Sequence, residues 1–249
     1  MNGNVFKRRE LKFMLTEQQY RTVIGVVGAR LNSDRFGKSV VQSLYFDTPD
    51  YRLISRSLEK PNYKEKIRAR CYNLNANDGK VFLELKKKYD GVVFKRRVCV
   101  KESVVFSFFT EKSALPDGQI EREITYFRDF YRSLRPSMLI IYDRTAYADE
   151  NIDLRITFDE NVRYRVTDLN LFASLCGEKI TDKILMEIKS GSAMPLWLSK
   201  LLSENEIYKT SFSKYGAAYA SFLSKGRRST LRYKEIAPSS HELLARLSA

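Results

Sequence analysis

The sequence predicts an α+β chain built around a large antiparallel sheet, and three observations carry that expectation. Strand-like runs outnumber helical ones along the 249 residues. Hydrophobic residues make up 43% and aromatics 12%, enough to bury a core. The polar faces of the strand-like runs are mostly Arg and Lys, a pattern that a solvated sheet face does not require.

Taken in order, residues 8–15 alternate and read as a strand. Thr16 followed by Gln19 forms a capping box, opening a helix that runs to about Leu31. Strand-like runs follow at 40–47, 63–72, 80–88 and 92–101. Segment 119–135 reads as a helix stopped before Pro136. Further strands are expected at 138–147, 152–159, 162–167 and 183–189, then helices at 193–204, 213–224 and 239–247. Repeats and low-complexity linkers are absent, so one domain over 1–249 is expected.

In a strand, residues i, i+2 and i+4 share one face. Lys64, Lys66, Arg68 and Arg70 therefore align, against Ile67, Ala69 and Cys71, with Glu65 on that opposite face. Glu84, Lys86 and Lys88 align, as do Lys95 with Arg97, Tyr142 with Arg144, and Arg155 with Asp153 and Thr157. Arg163 aligns with Arg165, Glu187 with Lys189, and Arg8 with Glu10 and Lys12. Eight runs share this pattern. Like charges on neighbouring strands repel, and a bound polyanion would offset that cost. If the sheet closes, the charged faces line a lumen and the apolar faces pack under the helices, the reverse of a small barrel with an apolar interior. Glu10, Glu84 and Glu187 share the basic faces. They either neutralise neighbouring bases or hold a divalent ion, because Mg²⁺ and Mn²⁺ favour carboxylate and phosphate oxygens.

Composition agrees with an anionic ligand. Lys plus Arg is 44 against 30 acids, a net charge of +14. Nucleic acid, anionic lipid and phosphate compounds all satisfy that charge. The single histidine, His241, argues against Ser-His-Asp catalysis, phosphohistidine chemistry and HExxH zinc sites. Neither a Walker loop nor GxGxxG occurs. Cys71, Cys99 and Cys176 are sparse and read as free thiols in a reducing compartment. No apolar run approaches the roughly 20 residues of a membrane span. The opening MNGNVFKRRELKF lacks a secretory h-region, so a cytoplasmic location is expected.

The stretches RRELKF, SLYFDTPDY, KEKIRAR, FLELKKK, FKRRV, YDRTAY, LRITFDENV, LMEIKSG and SFSKY, in that order, resemble the triphosphate tunnel (CYTH-like) fold. Within it, the chain is most similar to the polyphosphate polymerase domain of the vacuolar transporter chaperone (VTC) family. The resemblance covers most of 6–222, which leaves 225–249 as a C-terminal extension. It implies an antiparallel β-barrel tunnel with a charged lumen, flanked by helices. It also implies transfer of the terminal phosphoryl group of a nucleoside triphosphate, with ATP the expected one, to polyphosphate or pyrophosphate, with Mn²⁺ or Mg²⁺ as cofactor.

By position, Arg68 and Arg70 correspond to the clamp on the nucleotide phosphates, and Lys86 and Lys95 to bases on the phosphate chain. Tyr142, Arg144 and Arg155 correspond to further phosphate contacts, Lys12 to the first-strand lysine and Glu187 to the metal-binding glutamate. Ser213 and Lys214 correspond to a helix segment that closes on the phosphates. Lys66, Arg97 and Lys189 join the phosphate-binding set by sharing these faces, and Glu10 and Glu84 join Glu187 as metal candidates. Tunnel hydrolases open with E-x-E-x-K, whereas here Arg8 stands in the first position, which favours holding a chain over activating water. A triphosphate tunnel hydrolase and a non-catalytic polyphosphate or RNA reader are the alternatives. Tyr63, Tyr72 and Tyr89 suit base stacking. No RNP-type motif is present, so nucleic acid is not the expected partner. With no span of its own, the chain would need a membrane-tethered partner to thread product across a bilayer.

Overall fold

A computed structural model describes residues 9–73 and 79–236; the side chains of residue 9, residues 35–36 and residues 227–236 lie outside that description. Arg8 and the expected helix at 239–247 fall outside the described residues. The order is β1 (Arg9–Leu15), α1 (Glu17–Arg30), β2 (Asn32–Asp47), α2 (Arg52–Leu58), β3 (Tyr63–Tyr72), β4 (Lys80–Tyr89), β5 (Val92–Lys101), α3 (Glu102–Thr110) and α4 (Gln119–Tyr131). There follow β6 (Arg135–Asp149), β7 (Leu154–Arg165), β8 (Glu178–Lys179), β9 (Ile184–Ser190), α5 (Leu196–Glu204), β10 (Lys209–Thr210) and α6 (Lys214–Ile236).

The strands form one antiparallel sheet in the order β10-β1-β9-β7-β6-β2-β3-β4-β5, with β8 added to β7. The expected α+β architecture is present. Among the described residues β5 and β10 do not pair with each other, so hydrogen bonds do not close the sheet into a barrel. The sheet curls instead. Lys12 on β1 donates to the Phe212 carbonyl at 3.2 Å and Lys66 on β3 donates to Ser213 Oγ at 3.2 Å, so strands from opposite halves meet the same segment.

The alternation read from the sequence places the core. Ile67, Ala69, Cys71, Val81, Leu83 and Leu85 pack on one face with Phe108 of α3 and Ile124 and Phe127 of α4. Phe13, Leu15, Ile156, Phe158, Met186 and Ile188 pack with Val23 and Val27 of α1 and Leu198 of α5. Glu65 lies on this outer side, where it accepts hydrogen bonds from Tyr63 and Tyr131. A third cluster lies on the concave side. Val41, Tyr45, Met138, Ile140, Tyr142, Val162 and Tyr164 pack there against Tyr215, Ala218 and Tyr219 of α6. The concave face is therefore charged over part of its length and apolar where α6 covers it.

One face assignment is overturned. The two strands expected at 152–159 and 162–167 are one strand, β7, which covers Leu154–Arg165 and leaves 152–153 and 166–167 outside it. Asn161 sits at φ +49°, and β7 carries one more residue than β6 between the pairs Asp143/Glu160 and Ile141/Arg163. This bulge reverses the alternation. Val162 and Tyr164 take the concave side, while Arg163 donates to the carbonyls of Asn161 and Leu175. Arg165 likewise donates to the carbonyls of Asp168, Asn170, Ser174 and Cys176, so both arginines anchor the 166–178 segment and do not line the lumen. No helix among the described residues is long and apolar enough to cross a membrane.

Candidate functional site

The antiparallel register fixes which charges meet. Arg68 pairs with Glu84 across β3/β4, and Glu84 with Arg97 across β4/β5. Glu84, 1% exposed, is consequently ringed by bases. Arg68 Nε and Nη2 reach its Oε2 at 2.9 and 2.8 Å. Arg97 Nε and Nη2 reach Oε1 at 2.8 and 2.5 Å, Lys95 Nζ does so at 2.8 Å, and Arg70 stands 4.0 Å away. Burial opposes ionisation of Glu84, but Arg68, Arg70 and Lys95 outweigh it and hold the carboxyl far below the usual range. Arg68 also donates to the Tyr45 hydroxyl at 2.9 Å, and Arg70 to Ser43 Oγ at 3.1 Å.

A second cluster is built on β1, β6, β7, β9 and the start of α6. Arg144 grips the buried Asp159 with two parallel hydrogen bonds of 2.6 and 2.8 Å. Lys214 reaches Asp159 at 2.5 Å. Glu187 lies 3.2 Å from Lys12, 3.5 Å from Arg144 and 3.7 Å from Lys214. Burial is again outweighed, by Lys214, Lys12 and Arg144, and Glu187 stays ionised well below its ordinary value. Glu10 sits 3.5 Å from Lys12 and 3.9 Å from Lys189. Arg144 and Lys214 both lie over the Tyr142 ring, at 5.3 and 4.5 Å from its centroid.

Between the clusters, Lys66 donates to Ser213. Burial pulls its pKa down to about 8, with Tyr45 opposing and Lys64, Lys86 and Lys12 reinforcing. Burial pushes the Tyr45 phenol up, yet Arg68, Lys66 and Arg70 bring it down to about 8. Lys86, on the same face of β4, is lowered by burial, with Glu10 opposing and Lys12 reinforcing. Arg155 stands apart: its Nη2 is 2.8 Å from Asp34.

The residues present suit a divalent ion completed by substrate. Among the described residues no group of three or more His, Cys, Asp or Glu side chains could hold a metal by itself. Glu10 and Glu187, however, flank the same Lys12 ammonium. Mg²⁺ commonly takes one or two carboxylates and fills its remaining positions with water and phosphate oxygens. Glu84, by contrast, has its oxygens engaged by four bases.

Sequence reasoning did not single out Asp159 or Tyr45. Asp159 continues the Arg155, Thr157 face by one more step, a signal that alternation alone contains. Tyr45 belongs to β2, whose concave residues Ser43 and Tyr45 are uncharged and gave no pattern.

Residues 7–223 match the family model of the VTC domain. No curated protein matches the sequence. Among solved structures, HpAC1 from Hippeastrum, a candidate adenylyl cyclase described as having a dominant triphosphatase activity, is 15% identical with a TM-score of 0.53, covering 85% of this chain and 95% of that one. A candidate adenylate cyclase from Bacillus halodurans is 13% identical with a TM-score of 0.52, covering 82% and 92% of the two chains. At these identities the likeness is one of fold, that of the triphosphate tunnel proteins. With the family model spanning residues 7–223 and the basic concave sheet of the tunnel fold in place, the chain belongs to the VTC domain family.

Proposed function

We propose that this chain is a metal-dependent polyphosphate polymerase that moves the terminal phosphoryl group of a nucleoside triphosphate, ATP by expectation, onto the end of a polyphosphate chain or pyrophosphate. The observation that carries this reading is the concave face itself. Arg68, Arg70, Lys95 and Arg97 converge on one carboxylate, and Lys12, Arg144 and Lys214 on another, so the bases are already held in anion-binding geometry. Phosphoryl transfer asks the protein mainly for positioning and charge stabilisation.

The roles proposed are those that the family resemblance implies. Arg68 and Arg70 grip the nucleotide phosphates; Lys66, Lys86, Lys95, Arg97 and Lys189 hold the chain; Arg144, Arg155, Tyr142, Ser213, Lys214 and Lys12 orient the reacting end. Glu187 and Glu10 would hold Mn²⁺ or Mg²⁺, which supplies charge neutralisation between phosphate groups. An oxygen of the acceptor chain is the nucleophile, and the lone histidine of the sequence, His241, lies outside the described residues.

A hydrolytic reading is favoured by one observation, the paired Glu10 and Glu187 oxygens beside Lys12, which would also suit a metal-bound triphosphate attacked by water. Incubation with ATP and Mn²⁺, with and without pyrophosphate, separates the two. A polymer ladder with ADP is expected, and free phosphate without polymer would move the protein to the hydrolases. Glu187→Ala is expected to remove metal-dependent turnover while polyphosphate binding stays measurable; wild-type turnover in that variant would reject the metal assignment. Arg68→Ala should weaken nucleotide use sharply, and unchanged KM and kcat would reject the clamp.

A further inference from the structure

Thr157 lies on β7 between Arg155 and Asp159, on the concave face, with Glu187 of β9 and Ala146 of β6 as its cross-strand neighbours. It is 5% exposed, and among the described residues its hydroxyl has no hydrogen-bond partner. Ala146 offers no polar side chain. Both oxygens of Asp159 are taken by Arg144 and Lys214, and Glu187 is engaged by Lys12, Arg144 and Lys214. One position along the same face, Arg155 uses its Nη2 on Asp34, and its buried Nε–H has no partner among the described residues. Two donors at i and i+2 are thus buried and unmatched on the same face of β7. Buried donors are almost always satisfied, and an unmatched one is costly.

We propose that Thr157 is a further phosphate-binding residue of the tunnel, its hydroxyl and the Arg155 Nε–H donating together to one phosphate group of the bound chain. This rests on the tunnel reading above. Lys12 and Lys214 pair with Glu187, the cross-strand neighbour of Thr157; phosphate oxygens that draw these two ammonium groups away would come up against the Thr157 hydroxyl. A phosphate group accepts from both donors at once. Among the described residues no carboxylate accepts from either of these two donors.

The test is calorimetric titration with inorganic tripolyphosphate, without metal or nucleotide, on the wild type, Thr157→Val and Thr157→Ser. Valine keeps the shape and removes the donor. Binding is expected to weaken roughly five- to tenfold in Thr157→Val, the range one hydrogen bond supplies, and to return to within about twofold of wild type in Thr157→Ser. Thermal unfolding of unliganded Thr157→Val should match or exceed the wild type, since an unsatisfied group is removed. Equal tripolyphosphate affinity in Thr157→Val and wild type overturns the inference while leaving the tunnel reading intact. A lower unliganded Tm in Thr157→Val, with no recovery of binding in Thr157→Ser, assigns the hydroxyl to structure alone and also overturns it. Absence of tripolyphosphate binding by the wild type would sink the tunnel reading, and this inference with it.

Discussion

Glu84 receives ion pairs from Arg68, Arg70, Lys95 and Arg97 while itself buried, so removing its charge leaves several bases facing one another. Breaking a buried pair from one side costs about 3–5 kcal/mol. Lys95 and Arg97 are around two-fifths exposed, so solvent relieves part of that, and Glu84→Gln is expected at or below the lower end of the range. Urea denaturation measures it. Added tripolyphosphate should restore much of the loss, because phosphate oxygens take the place of the missing carboxylate. Lys66 and Tyr45 give a pH signature. Both have pKa values lowered to about 8. For Lys66 the folded state disfavours the proton, so a destabilising contribution is full below pH 8 and fades as pH rises from there toward the ordinary lysine value. For Tyr45 the folded state favours the phenolate, a contribution lost as pH falls through about 8. Both therefore add stability above pH 8. Phosphate binding moves the other way, since a cation is lost and an anion gained beside Arg68. Tripolyphosphate affinity should fall between about pH 7.5 and 9, and Lys66→Arg combined with Tyr45→Phe should flatten the fall; an unchanged slope in the double variant would exclude these two groups as its source.

At the level of elements, the start of α6 places Lys214, with Ser213 just before it, because Tyr215 pins the first turn. The Tyr215 ring stacks on Tyr45 at 4.2 Å, and its hydroxyl donates to Asp47 at 2.9 Å and contacts Ser137 at 3.0 Å. Asp47 also accepts from the backbone N–H groups of Leu53 and Ile54 at the start of α2, so one carboxylate couples two helices to β2. Tyr215→Phe leaves that buried acceptor short of a donor. It should cost about 1–3 kcal/mol in thermal or urea unfolding and weaken tripolyphosphate binding through loss of order at Lys214. Much of this layer was legible from the alternation alone. The concave residues of β1, β3, β4, β5 and β9 fall where period 2 places them, and α1 begins at its capping box. The pattern failed at Asn161, where one left-handed residue shifts every later side chain of β7 to the other face; asparagine tolerates that conformation, but alternation alone does not tell a bulge within one strand from a break between two. Helix α2 was missed for a related reason: it starts from Tyr51 in the left-handed region, and its first N–H groups are capped from Asp47 and Thr48, which lie upstream of the usual N-cap position. The convergence of four bases on Glu84 depends on inter-strand register, which the sequence does not spell out.

Across the whole molecule the net charge of +14 acts at longer range. Screening lengths shrink from about 10 Å at 0.1 M salt to about 3 Å at 1 M. Association with long polyphosphate should therefore slow markedly with added KCl, read by stopped-flow, while the contacts inside the curl, shielded from solvent, should hold dissociation nearly constant. A comparable rise in the off-rate would place the binding energy on the outer surface instead. The carboxylates on the concave face have a consequence of their own. Glu84, Glu187 and Asp159 occupy the same cations that a phosphate would claim, so the empty protein resembles an ion-exchange resin in its resting salt form. A polyanion entering it swaps counterions and does not fill a vacuum of charge, and one leaving hands the cations back. Under the polymerase reading, each repeat unit that advances meets a near-degenerate exchange, and the ladder of bases acts as a low-friction track.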